Sequence, residues 1–387
     1  MNTKRVVILG GGIFGVTSAL TLQRRGWSVT LVDPAPLPAP LASSTDRSKV
    51  IRADYGEDDY LSRLAETSLE RWRIWNRERF DRPLFHEVGF LLLRRTSLDE
   101  GGFEYGSFKT LKARGLRVER VDAGALGRRF PAWNEEVYPD GYLSHDAGWA
   151  ESGEVVRQLA REAAGAGVIL LQDRGESLLE RGGRVVGARL ASGRDVEADS
   201  VVLANGAWAP SFLKTSRVFR ASGMPVLLFA PENPELFRPP AFPVWGADIA
   251  RTGWYGFPAG DDGVVKIGHH GNGYPGDPDR PPDVADEWEE RCRAFLRESL
   301  PKLASAPMVG SRTCFYCDSR DGDFWIDRDP DRTGLVVATG GSGHGFKFAP
   351  VLGDLVAAAV EGFAPVPRFR WRPQASRSVE EARYTGD

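Results

Sequence analysis

The first thirty-three residues constrain this chain more than any other stretch. Arg5–Leu9 reads RVVIL, a β-branched and unbroken run that suits a parallel strand buried on both faces. GGGIFG (Gly10–Gly15) follows, then an apolar helical stretch to about Arg25, then WSVTLV (Trp27–Val32) as a second strand. Gly10, Gly12 and Gly15 have the spacing G-x-G-x-x-G, with Ile13 and Phe14 between the last two. Gly10 permits the tight turn and Gly12 lets the backbone approach a pyrophosphate. Gly15 lets helix and strand pack closely, and the helix N-terminus faces the negative charge. Asp33 ends the second strand, 18 residues after Gly15. A carboxylate there would accept hydrogen bonds from a ribose 2′-OH and disfavour a 2′-phosphate. The unit predicts a dinucleotide site, with NAD and FAD both open at this point.

The rest of the chain alternates between two patterns. Helices are expected over Tyr60–Arg79, Gly153–Gly165, Val284–Leu300 and Pro350–Glu361, from apolar residues at helical spacing. Strands are expected at His86–Arg95, Val168–Gln172, Val185–Leu190, Ser200–Asn205 and Leu335–Thr339, and several short antiparallel ones across Ala221–Lys266. The reading is an α/β protein, α+β overall. A Rossmann-type nucleotide-binding domain (residues 1–85, 145–217 and 325–387) carries an inserted, mainly antiparallel β substrate domain (86–144 and 218–324). A chain of 387 residues has room for both. Its 50 basic and 53 acidic residues leave a net charge of −3, which gives no electrostatic case for nucleic acid or an anionic membrane. Three cysteines make no disulfide framework, no apolar run is long enough to span a bilayer, and the N-terminus lacks a signal-peptide pattern. A cytoplasmic protein, monomeric or a small homo-oligomer, is expected.

Cys314 and Cys317 form a C-x-x-C within TCFYCD (Thr313–Asp318), which reads as a strand. Redox dithiol, half a zinc site and two buried thiols are the competing readings. Residues three apart on a strand have Cα atoms about 10 Å apart, beyond the ~7 Å a disulfide allows. Period two places Cys314 and Tyr316 on one face and Phe315 and Cys317 on the other. No second C-x-x-C or histidine pair completes a zinc site, and the adjacent His269 and His270 face opposite ways on a strand. No metal is expected.

A second glycine loop lies in GLVVATGGSGHGFKFAPV (Gly334–Val351), where a buried strand meets a helix start. Together with GGGIFG, Asp33, SVVLANGAW (Ser200–Trp208), YGFP (Tyr255–Pro258), VKIGHH (Val265–His270), CFYC and SGHGFKF (Ser342–Phe348), it resembles the sarcosine oxidase-type flavoenzymes. This is the branch of the D-amino-acid oxidase superfamily with covalently bound FAD, and the resemblance covers nearly the whole chain. It implies that Cys314 forms a thioether to the flavin 8α carbon and that Lys266 stands near flavin N5, where oxygen is reduced. It implies that Arg52 and Lys347 hold a substrate carboxylate, and that Tyr255, His270 and Tyr316 line the substrate cavity. Ser44 and the loop Gly343, His344, Gly345, Phe346 and Lys347 join the first glycine loop as cofactor contacts. The chain departs from the bacterial sarcosine oxidases at Lys49, where they have arginine. Lys49, its spacing from Asp46, and CFYCDSRDGDFWID (Cys314–Asp327) look more like the fructosyl-amino-acid and saccharopine or pipecolate oxidases. Lys49 is therefore placed with Lys266 among the catalytic candidates.

These roles have physical grounds. A substrate carboxylate suits the planar fork of Arg52 plus the point charge of Lys347. Alternation in VVKIG puts Lys266 on the face opposite Val265 and Ile267. Oxygen reduction passes through superoxide. A cation about 4 Å away at an effective dielectric near 20 contributes around 4 kcal/mol, about a thousandfold in rate. The expected activity is oxidation of the C–N bond of a small or N-substituted amino acid, with O2 as acceptor and hydrogen peroxide as product. Alternatives are a flavin dehydrogenase, a biosynthetic oxidase acting on a larger amine, and a non-catalytic flavin-binding subunit.

Overall fold

The computed structural model describes residues 3–213 and 218–386. The boundary expected at residue 217 lies outside the described residues. Two sheets organise the chain. The first has the order Trp325–Arg328, Leu335–Thr339, Ser200–Leu203, Arg5–Leu9, Ser28–Asp33, Ile169–Gln172. Its pairs are parallel except for the edge strand Trp325–Arg328. The expected β-α-β unit is present: Arg5–Leu9, the helix Ile13–Arg24, and Ser28–Asp33 beside the first strand. Val6 and Ile8 point into one buried cluster and Val7 and Leu9 into another, which is why the run is apolar throughout.

The glycine spacing has a steric cause. Gly10 has φ +104°, and a Cβ there would lie 2.5 Å from the Ala204 carbonyl oxygen. A Cβ on Gly15 would lie 1.8 Å from the Gly10 carbonyl oxygen. Helix and loop therefore approach to backbone contact, which only glycine allows.

The second sheet is built mostly from residues 90–144 and 219–319. Its longest pairing is antiparallel, between Phe219–Phe229 and Met308–Ser319. Met224 stands opposite Cys314. Cys314 and Tyr316 pack with Met224 and Val226, whereas Cys317 packs with Phe219 and Trp325, as period two requires. All three cysteines are free and buried. Val265 and Ile267 enter the core with Leu227, Phe229 and Trp245, leaving Lys266 on the other face. One pair departs from the antiparallel expectation: Val244–Ala247 runs parallel to Phe90–Arg94. Alternating side chains reveal the faces of a strand but not its direction, and a long crossover brings these two together.

Gly15→Ala should lower the thermal unfolding midpoint by several degrees, since overpacking against rigid backbone costs about 1–3 kcal/mol. Gly165→Ala is the matched control. It ends the helix Ser152–Gly165 with nothing within 4 Å of its added Cβ. It should leave the midpoint unchanged or raise it, as Ala exceeds Gly in helices by about 0.5–1 kcal/mol.

Candidate active site

Strands that end together place their following loops together, and a cavity of about 640 Å³ opens there. Gly10, Gly12, Ile13 and Phe14 of the first loop line it, with Asp33, Ser44, Tyr316, Gly343, Gly345 and Phe346. Ser44 Oγ accepts from the Ile13 amide at 2.9 Å and so caps the first helix. Asp33 accepts from the amides of Gly11 at 2.8 Å and Ala35 at 3.1 Å. Burial pushes its pKa up in spite of them. A dinucleotide fits this wall. A Cβ on Gly12 would meet only Ser44 Oγ, at 3.3 Å, so the loop backbone is open to a close-approaching phosphate. Asn205 Oδ1, also on the wall, is buried without a partner among the described residues.

Cys317 is on this wall, and Cys314 is not. Cys314 is 1% exposed, with its Sγ 3.7 Å from the Nζ of Lys49, a wall residue of this cavity and of a smaller one beside it. Lys49 starts the short strand Lys49–Ile51, which sends Lys49 and Arg52 to different partners.

The junction of the two sheets holds a buried ionic cluster. Lys266 Nζ donates to Asp46 Oδ2 at 2.7 Å and to the Ser48 carbonyl at 2.7 Å. Lys49 Nζ donates to the same Asp46 oxygen at 3.1 Å. Burial alone would raise the Asp46 pKa, but the two lysines hold it well below the usual carboxylate range. Burial, with Lys49 nearby, brings Lys266 down to about 8 against the pull of Asp46. Lys49 is likewise penalised by burial, yet Cys314 and Asp46 hold it above its ordinary value. The sequence marked Asp46 only by its spacing from Lys49. Its bond to Lys266, 220 positions away, has no local signal.

The smaller cavity, about 60 Å³, brings together Lys49, Arg52, Tyr255, His270, Tyr316, Gly343, His344, Phe346 and Lys347. His344 and Lys347, expected at the cofactor, line this chamber and not the larger one. The reason is the shape of the loop. Ser342 and Gly343 have positive φ (+43° and +80°), and Gly345–Phe348 forms a tight turn before the helix proper begins at Ala349. The last helix, expected from Pro350, begins one residue earlier, at Ala349. His344 is bonded on both nitrogens, to Tyr55 Oη and the Gly322 carbonyl, each at 3.0 Å. Burial takes its pKa down to about 4. Lys347 Nζ donates to Tyr55 Oη at 3.0 Å and to the His344 carbonyl at 3.3 Å. Burial and the Arg52 charge bring Lys347 down to about 7.

Arg52, expected to hold a substrate carboxylate, has a carboxylate of the chain itself as partner. Its Nη2 donates to Glu380 Oε1 at 2.8 Å, and His270 Nε2 lies 3.2 Å from Glu380 Oε2. Burial opposes ionisation of Glu380, but Arg52 and His270, with His344 close by, hold its carboxyl well below the usual range. Sequence reasoning missed Glu380 because SVEEARY (Ser378–Tyr384) reads as a solvated polar run.

Fold and cavities define a dinucleotide-binding protein, organised by two large sheets, with a cation-rich chamber beside the nucleotide cavity. The chain belongs to the FAD-dependent oxidoreductase family, whose model matches residues 5–359. It is 25% identical to the L-saccharopine oxidase of Schizosaccharomyces pombe, covering 93% of this chain and 90% of that protein. It is 25% identical to the monomeric sarcosine oxidase of a Bacillus species, covering 91% and 90%. Among solved structures, the fructosamine oxidase Amadoriase II of Aspergillus fumigatus superposes with a TM-score of 0.85 at 27% identity, covering 99% of this chain and 94% of that one.

Asp46→Ala would take the shared carboxylate from the buried ammonium of Lys266 and the half-buried one of Lys49. Breaking a buried pair in this way costs about 3–5 kcal/mol, so the variant should unfold well below the parent in a thermal melt. Asp46→Ala combined with Lys49→Met, which leaves one orphan charge in place of two, should recover part of that loss.

Proposed function

We propose that this chain is an amine oxidase that uses FAD to oxidise a C–N bond of an N-substituted amino acid or a related secondary amine. The observation that carries the reading is the Lys266–Asp46–Lys49–Cys314 cluster, buried where the larger cavity adjoins the chamber of Arg52 and Lys347. The named relatives, oxidases of saccharopine, sarcosine and fructosamine, support it. Residues 1–85, 145–217 and 325–387 would form the domain that holds the cofactor, and 86–144 with 218–324 the domain that shapes the substrate end.

When bound, FAD would supply the two-electron acceptor for the amine and return the electrons to O2, releasing hydrogen peroxide. The chain's own residues would do the rest. Gly10, Gly12 and the Ile13 end of the helix would receive the pyrophosphate, and Asp33 a ribose. Cys314 would carry the covalent bond. Tyr255, Tyr316, His270 and Phe346 would close the chamber around the amine and keep water out. The amine must be uncharged to give up a hydride. Lys49 and Lys347, both cationic when protonated, disfavour its protonated form.

Lys266, held between the Asp46 carboxylate and the Ser48 carbonyl, is the fixed cation for an oxygen-derived anion. It is protonated below about 8 and neutral above. The rate of reoxidation by O2 should therefore fall as pH rises through that value. Lys266→Met should flatten the profile and slow reoxidation by about a hundredfold to a thousandfold, the size of a buried charge contribution, while anaerobic reduction by substrate continues. Stopped-flow absorbance separates the two half-reactions. Peroxide-free turnover with an artificial acceptor would instead mark a dehydrogenase.

Acid-precipitated protein should keep its yellow colour in the pellet, and Cys314→Ala should release it to the supernatant. Cys317→Ala should not, since Cys317 is held by Thr339 Oγ1 at 3.3 Å and burial pushes its thiol up to about 11. Release of all colour from the parent protein would remove the covalent assignment.

A further inference from the structure

The segment 378–385 brings a carboxylate into the chamber where a substrate carboxylate was expected. The side chains of Arg52, Glu380 and His270 are 7%, 6% and 8% exposed. The Arg52 guanidinium is enclosed by the rings of Tyr55, Phe90 and Phe103, with centroids 5.3 to 5.6 Å away. One of its nitrogens, Nη2, is committed to Glu380. Another, Nη1, is buried without a partner among the described residues.

Glu380 is held on both sides. Arg383 forms a buried, bidentate pair with Asp318 at 2.7 and 2.8 Å and donates from Nε to the Gly271 carbonyl at 2.8 Å. The Tyr384 amide donates to the His270 carbonyl at 3.0 Å, and its ring packs edge-on against His269. Before Glu380, the Ser378 amide donates to the Arg320 carbonyl at 3.1 Å. Ala382 is fully buried. A substrate carboxylate taking Nη2 would have to leave the Glu380 carboxylate in a chamber of about 60 Å³ with His270 as its one remaining side-chain hydrogen-bond partner among the described residues. It would also meet a like charge at close range.

We propose that Glu380 is a specificity-determining residue of the substrate chamber. It takes the place of a substrate carboxylate on Arg52, and the chamber therefore selects secondary amines whose end facing Arg52 is uncharged. The free Nη1 donor suits a neutral acceptor there: an amide, ester or hydroxyl oxygen. N-alkyl amino acids with a free carboxylate are disfavoured. This rests on the amine-oxidase reading above and narrows its substrate class.

The test uses the flavin-loaded protein and two matched pairs of small molecules. N-methylglycine and N-methylglycinamide compete as substrates. Methoxyacetate and methoxyacetamide serve as unreactive ligands, followed by their perturbation of the visible flavin spectrum. In the parent protein the amide of each pair should be favoured at least tenfold, in kcat/KM or in Kd. Glu380→Gln keeps the shape and a hydrogen bond to Arg52, and Glu380→Ala opens the site. Either should tighten methoxyacetate at least tenfold and shift the acid-to-amide ratio toward the acid, while methoxyacetamide moves by less than about threefold. Having both variants guards against one failing to fold. Methoxyacetate binding the parent as tightly as the variants, or an unchanged acid-to-amide ratio, would overturn the proposal. That outcome would mean Lys347 holds carboxylates with Glu380 in place. Failure of both N-methyl compounds to reduce the flavin would count against the amine-oxidase reading, and the ligand titrations would still decide the role of Glu380.

Discussion

A single carboxylate oxygen, Asp46 Oδ2, lies between the buried ammonium of Lys266 and the half-buried one of Lys49, and the rest of the site depends on it. Isolated lysines at that depth would give up their protons, because burial penalises the charged form. Shared between them, one aspartate lets the interior keep cationic character beside the sulfur of Cys314 and next to both cavities. The compensation is incomplete by design of the numbers: two potential positive charges face one negative. Lys266 meets that imbalance with a pKa brought down to about 8, while Lys49 keeps its charge. The three residues come from a loop, a short strand and a strand of the second sheet, so the cluster ties the loop and the short strand to the second sheet.

The smaller chamber uses the same economy of charge in a different arrangement. Arg52 and Lys347 stand near each other, and their mutual repulsion is relieved by Glu380 and by Asp54, itself bonded to Tyr142 at 2.6 Å. Aromatic rings complete the enclosure, stacking over the guanidinium and ammonium faces. Charge is balanced before any ligand enters, so a ligand is read by how well it keeps that balance.

Much of this was legible in the sequence where chemistry is local. The first strand, loop and helix could be read because glycine spacing and a β-branched run report steric and packing demands within a few residues. The faces of Cys314, Cys317 and Lys266 followed from period two alone. Resemblance supplied the gathering of Arg52, Lys347, Tyr255, His270 and Tyr316 in one chamber, which no local pattern encodes. What stayed hidden was long-range pairing of charge. Glu380 is 328 positions from Arg52 and sits in a polar stretch that looks solvated. The parallel pairing of Val244–Ala247 with Phe90–Arg94 was hidden too, since strand direction depends on the path of the intervening chain. The start of the last helix, read at Pro350 and found at Ala349, was legible, whereas the positive φ of Ser342 in the turn before it was not.

The strand order of the first sheet has a consequence for how the protein is made. Ser200–Leu203 is flanked on one side by Arg5–Leu9 and on the other by Leu335–Thr339, more than 130 residues further along. During synthesis its outer edge, all apolar beyond Ser200, must wait without a partner while the strands of the second sheet that lie between residues 219 and 319 emerge. The nucleotide cavity lacks its Ala338–Thr339 wall for the same interval. A nascent chain of this topology has a vulnerable period set by translation time, during which a chaperone or an early-forming second sheet must keep that edge from pairing with a neighbour.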